Sequence, residues 1–196
     1  MRPGAARICH DRYRRGGLPV VRVDGAAGAA EVYLQGAHVT GYAPAGQPPV
    51  LWMSAFSEYA AGRPLRGGVP LCFPWFGPLA EDPTLPAHGF ARLADWQLAE
   101  AHECGDDIVL VFRLTDTEQT RSSAWPHRFE ADYTVTVGAR LGLSLRVRNV
   151  GAGPVSFAEG FHTYLSVPRV LWNPWTEKAV AMPDFGDAEW TGMLCV

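Results

Sequence analysis

The segment Leu65–Arg92, LRGGVPLCFPWFGPLAEDPTLPAHGFAR, concentrates side chains able to do chemistry. Arg66 stands before Gly67-Gly68, His88 stands before Gly89, and Arg92 follows His88 by four residues. Glycine has no Cβ, so a ligand or a neighbouring strand can come close to the backbone there. Guanidinium groups offer forked donors that suit a phosphate or a set of sugar hydroxyls. An imidazole, with an ordinary pKa near ~6.5, gives or takes a proton at neutral pH. The segment is too rich in Pro and Gly for regular structure and too rich in Trp and Phe for disorder. Long ordered loops inside compact domains usually carry function. The plain alternative is a connector, with arginines as solvated loop charges and a histidine that does no chemistry.

A second histidine, His162, follows Glu159-Gly160-Phe161 and opens a β-prone HTYL stretch. A strand or strand end could hold it rigidly in a groove, or it could be a hydrogen-bonded core histidine. The other histidines have weaker claims. His127 reads as packing a turn before the Phe129 strand, His38 and His102 fall in strand patterns and are expected to face solvent, and His10 lies in an Arg-rich leader. The WNPW segment, Trp172–Trp175, reads as two core tryptophans around an Asn-Pro turn. Cys9, Cys72, Cys104 and Cys195 are scattered with no CxxC pair, which argues against a zinc site and fits reduced thiols.

The elements that must position these groups are short. A chain of 196 residues with 21 Gly and 16 Pro is punctuated too often for long helices, and its length suits one domain. Val20–Val23, Glu31–Leu34, His38–Tyr42, Val50–Met53, Trp96–His102, Ile108–Leu114, Phe129–Val137 and Leu141–Asn149 read as strands. In the last, Leu141, Leu143, Leu145 and Val147 face one side while Ser144, Arg146 and Arg148 face the other, as in a half-buried antiparallel strand. Ser54–Ala61 is the one candidate for a short helix or helical turn. The pattern predicts an all-β antiparallel sandwich or barrel. Residues 1–16 are expected to form an Arg-rich, disordered leader and 17–196 a single domain.

A net charge of −3 supplies no broad basic field, which argues against nucleic acid as a partner. No apolar run is long enough to span a membrane, and the N-terminal arginines precede no apolar signal core. The reading is a cytoplasmic protein.

RGGVPLCFPWFGP followed by PAHGFAR resembles the signature of the hexose-6-phosphate mutarotases, a branch of the aldose 1-epimerase (galactose mutarotase-like) superfamily. VLWMS at 50–54, WPHRFE at 125–130, FHTYLSV at 161–167 and WNPWTEKAVAMPDFGDAEW at 172–190 are similar to further family stretches, in the family's order. The resemblance implies an antiparallel β-supersandwich and interconversion of the α and β anomers of a hexose 6-phosphate. It implies His162 as the general acid toward the ring oxygen, His88 as a contact to the sugar, and Arg66 and Arg92 as ligand-contacting arginines with the phosphate as their partner. The chemistry moves protons only, so no metal or redox cofactor is expected, and the protein is expected to be a monomer.

The chain departs from the family pattern in its last third. Val170 runs straight into Leu171-Trp172, where the family continues through several more strands, so an incomplete sandwich is expected. Family members place the catalytic-base glutamate immediately after the stretch matching Met193–Val196, and this sequence stops at Val196; Glu159 and Asp184 lie in matching stretches but not at that position, so a weak or inactive mutarotase is expected. Losing a positioned base costs about 10²–10⁴-fold in rate. The alternative reading is therefore a non-catalytic carbohydrate- or sugar-phosphate-binding protein.

Overall fold

The computed structural model of the chain describes residues 7–11, 15–79, 82, 84–167, 171–172 and 179–180. Strands β1 (Arg7–Asp11), β2 (Val20–Asp24), β3 (Gly28–Tyr33) and β4 (His38–Pro44) form one antiparallel sheet in that order. β1 lies inside the stretch expected as a leader and pairs with β2 along all five of its residues. The two-residue strand β5 (Leu71–Cys72) falls in the Arg66–Arg92 loop. A second antiparallel sheet takes β6 (Gln97–Cys104), β7 (Asp107–Thr115), β8 (Phe129–Val137) and β9 (Leu141–Asn149), again in sequence order. β10 (Gly160–Phe161) pairs with β5, and β11 (Leu171–Trp172) with β12 (Ala179–Val180). Residues 173–175 of the WNPW stretch, Asp184 and Met193–Val196 lie outside the described residues.

Period-2 patterning accounts for the second sheet. Ile108, Leu110, Phe112 and Leu114 of β7 and Phe129, Ala131, Tyr133, Val135 and Val137 of β8 are all buried, while their neighbours face outward. They share one core with Val21, Val23, Val32 and Val39 of the first sheet, so the two sheets close face to face as a sandwich. Burying each such side chain contributes about 1.5–3 kcal/mol. The sheets meet closely where the Tyr42 hydroxyl donates to the Gly138 carbonyl at 3.1 Å. A Cβ on Gly28 would stand 2.4 Å from that same oxygen, so glycine permits the approach.

Two expectations are corrected. Val50–Met53 is not a continuous strand; it makes isolated bridges, Leu51 to Leu165 and Met53 to Gly67. Ser54–Ala61 forms no helix; residues 55–56 make a turn closed by Ser57 N–H donating to the Ser54 carbonyl. The one α-helix among the described residues is the single turn α1 (Glu118–Arg121), which the Thr117–Thr120 capping box nucleates.

His38 is corrected as well. A bulge between β3 and β4 leaves Thr40 unmatched, since Glu31 faces Gly41 while Val32 faces Val39. His38, Val39 and Thr40 are consequently buried in succession, against simple alternation. The face expected to meet water is covered by the segment through Leu65–Val69, which packs a second cluster with Leu18, Val20 and Tyr33.

Candidate functional site

Three extended segments build the site. The segment 66–72 bridges to β4 through Val69–Val39 and to 50–53 through Gly67–Met53. On its other side it receives 160–164: His162 N–H donates to the Pro70 carbonyl at 3.0 Å and Tyr164 N–H to Gly68 at 2.8 Å. Trp52 N–H in turn donates to Tyr164 at 3.0 Å. Backbone bonds thus fix His162 relative to the Arg66-Gly67-Gly68 turn across almost a hundred residues of sequence.

The loop carrying His88 is anchored from below by aromatic rings. Phe73 is fully buried and packs edge-on against Phe90, Trp125, Phe129 and Phe157, with centroids 5.3–6.2 Å apart. Gly89 crosses directly over Phe73: it has φ +72°, and a Cβ there would sit 2.0 Å from the Phe73 carbonyl oxygen. His88 itself has φ +67°, a costly conformation for a side-chain-bearing residue. Two bonds to Gly77 hold it: His88 N–H donates to the Gly77 carbonyl at 2.8 Å, and Gly77 N–H donates to His88 Nδ1 at 3.1 Å.

That second bond settles the tautomer. A nitrogen that accepts from an amide carries no proton, so the neutral ring has its hydrogen on Nε2. His88 is therefore a donor through Nε2. Desolvation first, then the Arg92 guanidinium, then His162 hold it below the ordinary histidine range. Its ring lies edge-on to Phe76 at 4.9 Å and 5.7 Å from the His162 ring.

Arg92 is half-buried. Its Nη2 donates to the Ala87 carbonyl at 2.7 Å, while its buried Nε has no hydrogen-bond partner. Burial, joined by repulsion from Arg66, lowers its pKa, while Cys72 and Tyr164 oppose the change. Arginine nonetheless stays charged. The Arg66 side chain is exposed, but its backbone is fastened: Arg66 N–H donates to Ser57 Oγ at 2.9 Å, and its carbonyl accepts from Ser54 N–H at 3.0 Å. Behind this turn, His38 is 1% exposed, and its Nε2 donates to the Gly67 carbonyl at 2.7 Å. Burial pushes the His38 pKa down to about 4, the Gly67 bond opposing and Arg92 adding to the fall.

Around the two imidazoles stand aromatic rings that the sequence did not single out. Tyr164 lies 4.8 Å from His162 and 6.1 Å from Trp52, and Phe76 lies 6.4 Å from His162. Trp52, Phe76 and Tyr164 all remain substantially exposed. Tyr164 was legible in principle, since residues i and i+2 of an extended segment share a face. Trp52 was not, because only the long-range pairing to Tyr164 brings it here. His127 packs against Trp125 at 4.8 Å, and His102 is exposed, both as expected.

The sequence-predicted residues thus come together. His88 feels both Arg92 and His162, and Arg92 feels Arg66. The arrangement offers a fixed donor, a second imidazole able to move a proton, two cations and aromatic faces. Glu159, ahead of β10, is exposed, with partial desolvation raising its carboxyl pKa. Among the described residues no three His, Cys, Asp or Glu side chains gather as a metal site, and no helix is long and apolar enough to cross a membrane.

Residues 19–170 match the family model described as aldose 1-epimerase. The chain is 40% identical over 150 residues to an Escherichia coli K12 protein named "Putative glucose-6-phosphate 1-epimerase", covering 76% of this chain and 49% of that protein. A protein of the same name from Cenchrus ciliaris is 27% identical over 263 aligned positions, covering 92% of this chain and 78% of that one. Those 263 positions exceed the 196 residues here, so that relative holds residues within the aligned span that have no counterpart in this chain. Among solved structures, that of a "putative mutarotase (YeaD)" from Salmonella typhimurium superposes with a TM-score of 0.74 at 34% identity, covering 83% of this chain and 55% of that one. The chain spans about half the length of the bacterial relatives it matches.

Proposed function

The chain belongs to the aldose 1-epimerase family, and we propose that it holds a hexose 6-phosphate against His88 and His162 and interconverts its α and β anomers. The observation that carries this reading is the pair of imidazoles 5.7 Å apart, one with its tautomer set by the backbone, beside two arginines. Opening the hemiacetal removes the C1-hydroxyl proton and delivers one to the ring oxygen. His162 supplies the proton to the ring oxygen, and His88 donates a hydrogen bond from Nε2 to a sugar oxygen. Arg66 and Arg92 take the phosphate through charge-assisted bonds, each contributing about 1.5–3 kcal/mol. Tyr164, Trp52 and Phe76 present ring faces to the C–H face of the sugar. By the family resemblance the base that accepts the C1 proton is a glutamate one position past the stretch matching Met193–Val196, a position the 196-residue sequence does not include; none of the four site residues named here takes that role.

A charged sugar phosphate does not cross a bilayer unaided, which supports a cytoplasmic location, and nothing in this chemistry calls for a second copy of the chain. A sugar-phosphate-binding protein without turnover is the second reading. What supports it is that Arg66, His88, Arg92 and His162 are donors, cations or proton carriers and none is a carboxylate.

Exchange NMR of the α and β anomers of glucose 6-phosphate, paired with calorimetric binding, tests both. Exchange above the buffer rate that disappears in His162→Ala supports the enzyme. Binding that weakens in Arg92→Ala without faster exchange supports the binding protein, and absence of both removes the two readings together.

A further inference from the structure

We propose that His38 is a positioning residue for phosphate recognition: from beneath the site it pegs the Arg66–Gly67 turn so that the Arg66 guanidinium is held toward the phosphate. The inference rests on the reading of the site given above.

Gly67 and Gly68 have φ +106° and +63°, and neither tolerates a Cβ: one would stand 2.4 Å from the Trp52 carbonyl, the other 2.3 Å from that of Val39. Two consecutive glycines bring the backbone close to its neighbours but restrain it little, because glycine has the widest conformational freedom of any residue. Hydrogen bonds define the turn: the Gly68 N–H donates to the Trp52 carbonyl at 2.7 Å and the Gly68 carbonyl accepts from Tyr164 N–H at 2.8 Å, which leaves the Arg66–Gly67 half to other partners. The Arg66 backbone is held on its outer side by Ser54 and Ser57. On the inner side the Gly67 carbonyl is held by the His38 ring at 2.7 Å. That ring is buried, follows no local turn and comes from 29 residues earlier in sequence, so its bond to Gly67 is a tertiary constraint.

The residue type matters. The peg must donate, must reach from β4 to the turn, and must be neutral, because it lies within the field of Arg92 close to the cations meant for the phosphate. A lysine or arginine would add repulsion there, and an acid could not donate when ionised. Neutral imidazole meets all three requirements. His38 lies buried beneath the turn and acts through the direction of Arg66.

The test measures calorimetric affinity of the full chain for glucose 6-phosphate and for glucose, in wild type, His38→Ala, His38→Leu and His38→Gln, with circular dichroism melting as a check of folding. Losing the direction of one charge-assisted bond predicts about tenfold weaker glucose 6-phosphate binding in His38→Ala and His38→Leu. Glucose binding changes by less than about twofold, and His38→Gln, which keeps a donor, returns to within about threefold of wild type. In an Arg66→Ala background the His38 substitutions have no further effect on glucose 6-phosphate. A folded Ala or Leu variant with undiminished phosphate selectivity overturns the proposal, as do equal losses for both sugars, failure of Gln to rescue, or additivity with Arg66→Ala. Should Ala fail to fold, the Leu and Gln pair decides. Wild type that binds neither sugar overturns the functional reading, and this inference with it.

Discussion

The burial of His38 makes the stability of the fold depend on pH by an amount that can be worked out. In an unfolded chain an imidazole titrates near ~6.5, whereas in the fold burial holds His38 down to about 4. Between those values the unfolded chain binds a proton that the folded chain refuses, so acid favours unfolding. The stabilisation is complete above the unfolded value and is lost as pH falls toward the folded one. Holding a histidine from ~6.5 down to 4 corresponds to roughly 3 kcal/mol, of which roughly 2 kcal/mol is gone by about pH 5. Urea unfolding followed by tryptophan fluorescence, from about pH 7 to about pH 5, measures this in wild type and His38→Gln. Gln donates to Gly67 but does not titrate. His88, which is also held low, and the carboxylates titrate in both proteins and cancel in the difference. Wild type is expected to lose roughly 2 kcal/mol more than the variant over that interval. Parallel pH curves would refute the reasoning, because they would mean that His38 protonates in the fold as easily as in water.

Three other outcomes follow from the packing. Gly89→Ala puts a Cβ 2.0 Å from the Phe73 carbonyl at φ +72°; it should cost at least about 2 kcal/mol in thermal or urea unfolding and abolish sugar binding by displacing His88. Phe73→Ala empties the centre of the aromatic cluster and should cost about 3–5 kcal/mol in urea unfolding. Arg148→Ala breaks an exposed 2.7 Å ion pair to Glu130 on the outer face of β8–β9, and the same measurement should change by no more than about 0.5 kcal/mol.

Local pattern determined β2 to β4 and β6 to β9, while β1 formed in a stretch expected to be a disordered leader. Alternation in 107–115, 129–137 and 141–149 specifies strands because every second side chain must leave water, and the strand ends in the structure follow those patterns closely. His88 and His162 were legible from their residue types and neighbours, and the family resemblance supplied their expected roles. Residues 50–53 show the limit: an apolar run reads as a strand, yet only bridges to distant segments form, because pairing depends on partners that local pattern does not name. Tertiary structure also decided what His38 is. A bulge and a covering loop turn a strand residue expected to face solvent into a buried donor beneath the site. The tautomer of His88 and the convergence of Trp52, Phe76 and Tyr164 likewise come from contacts across the fold. Residue type sets what a side chain is able to do; the groups packed against it set its protonation and its direction.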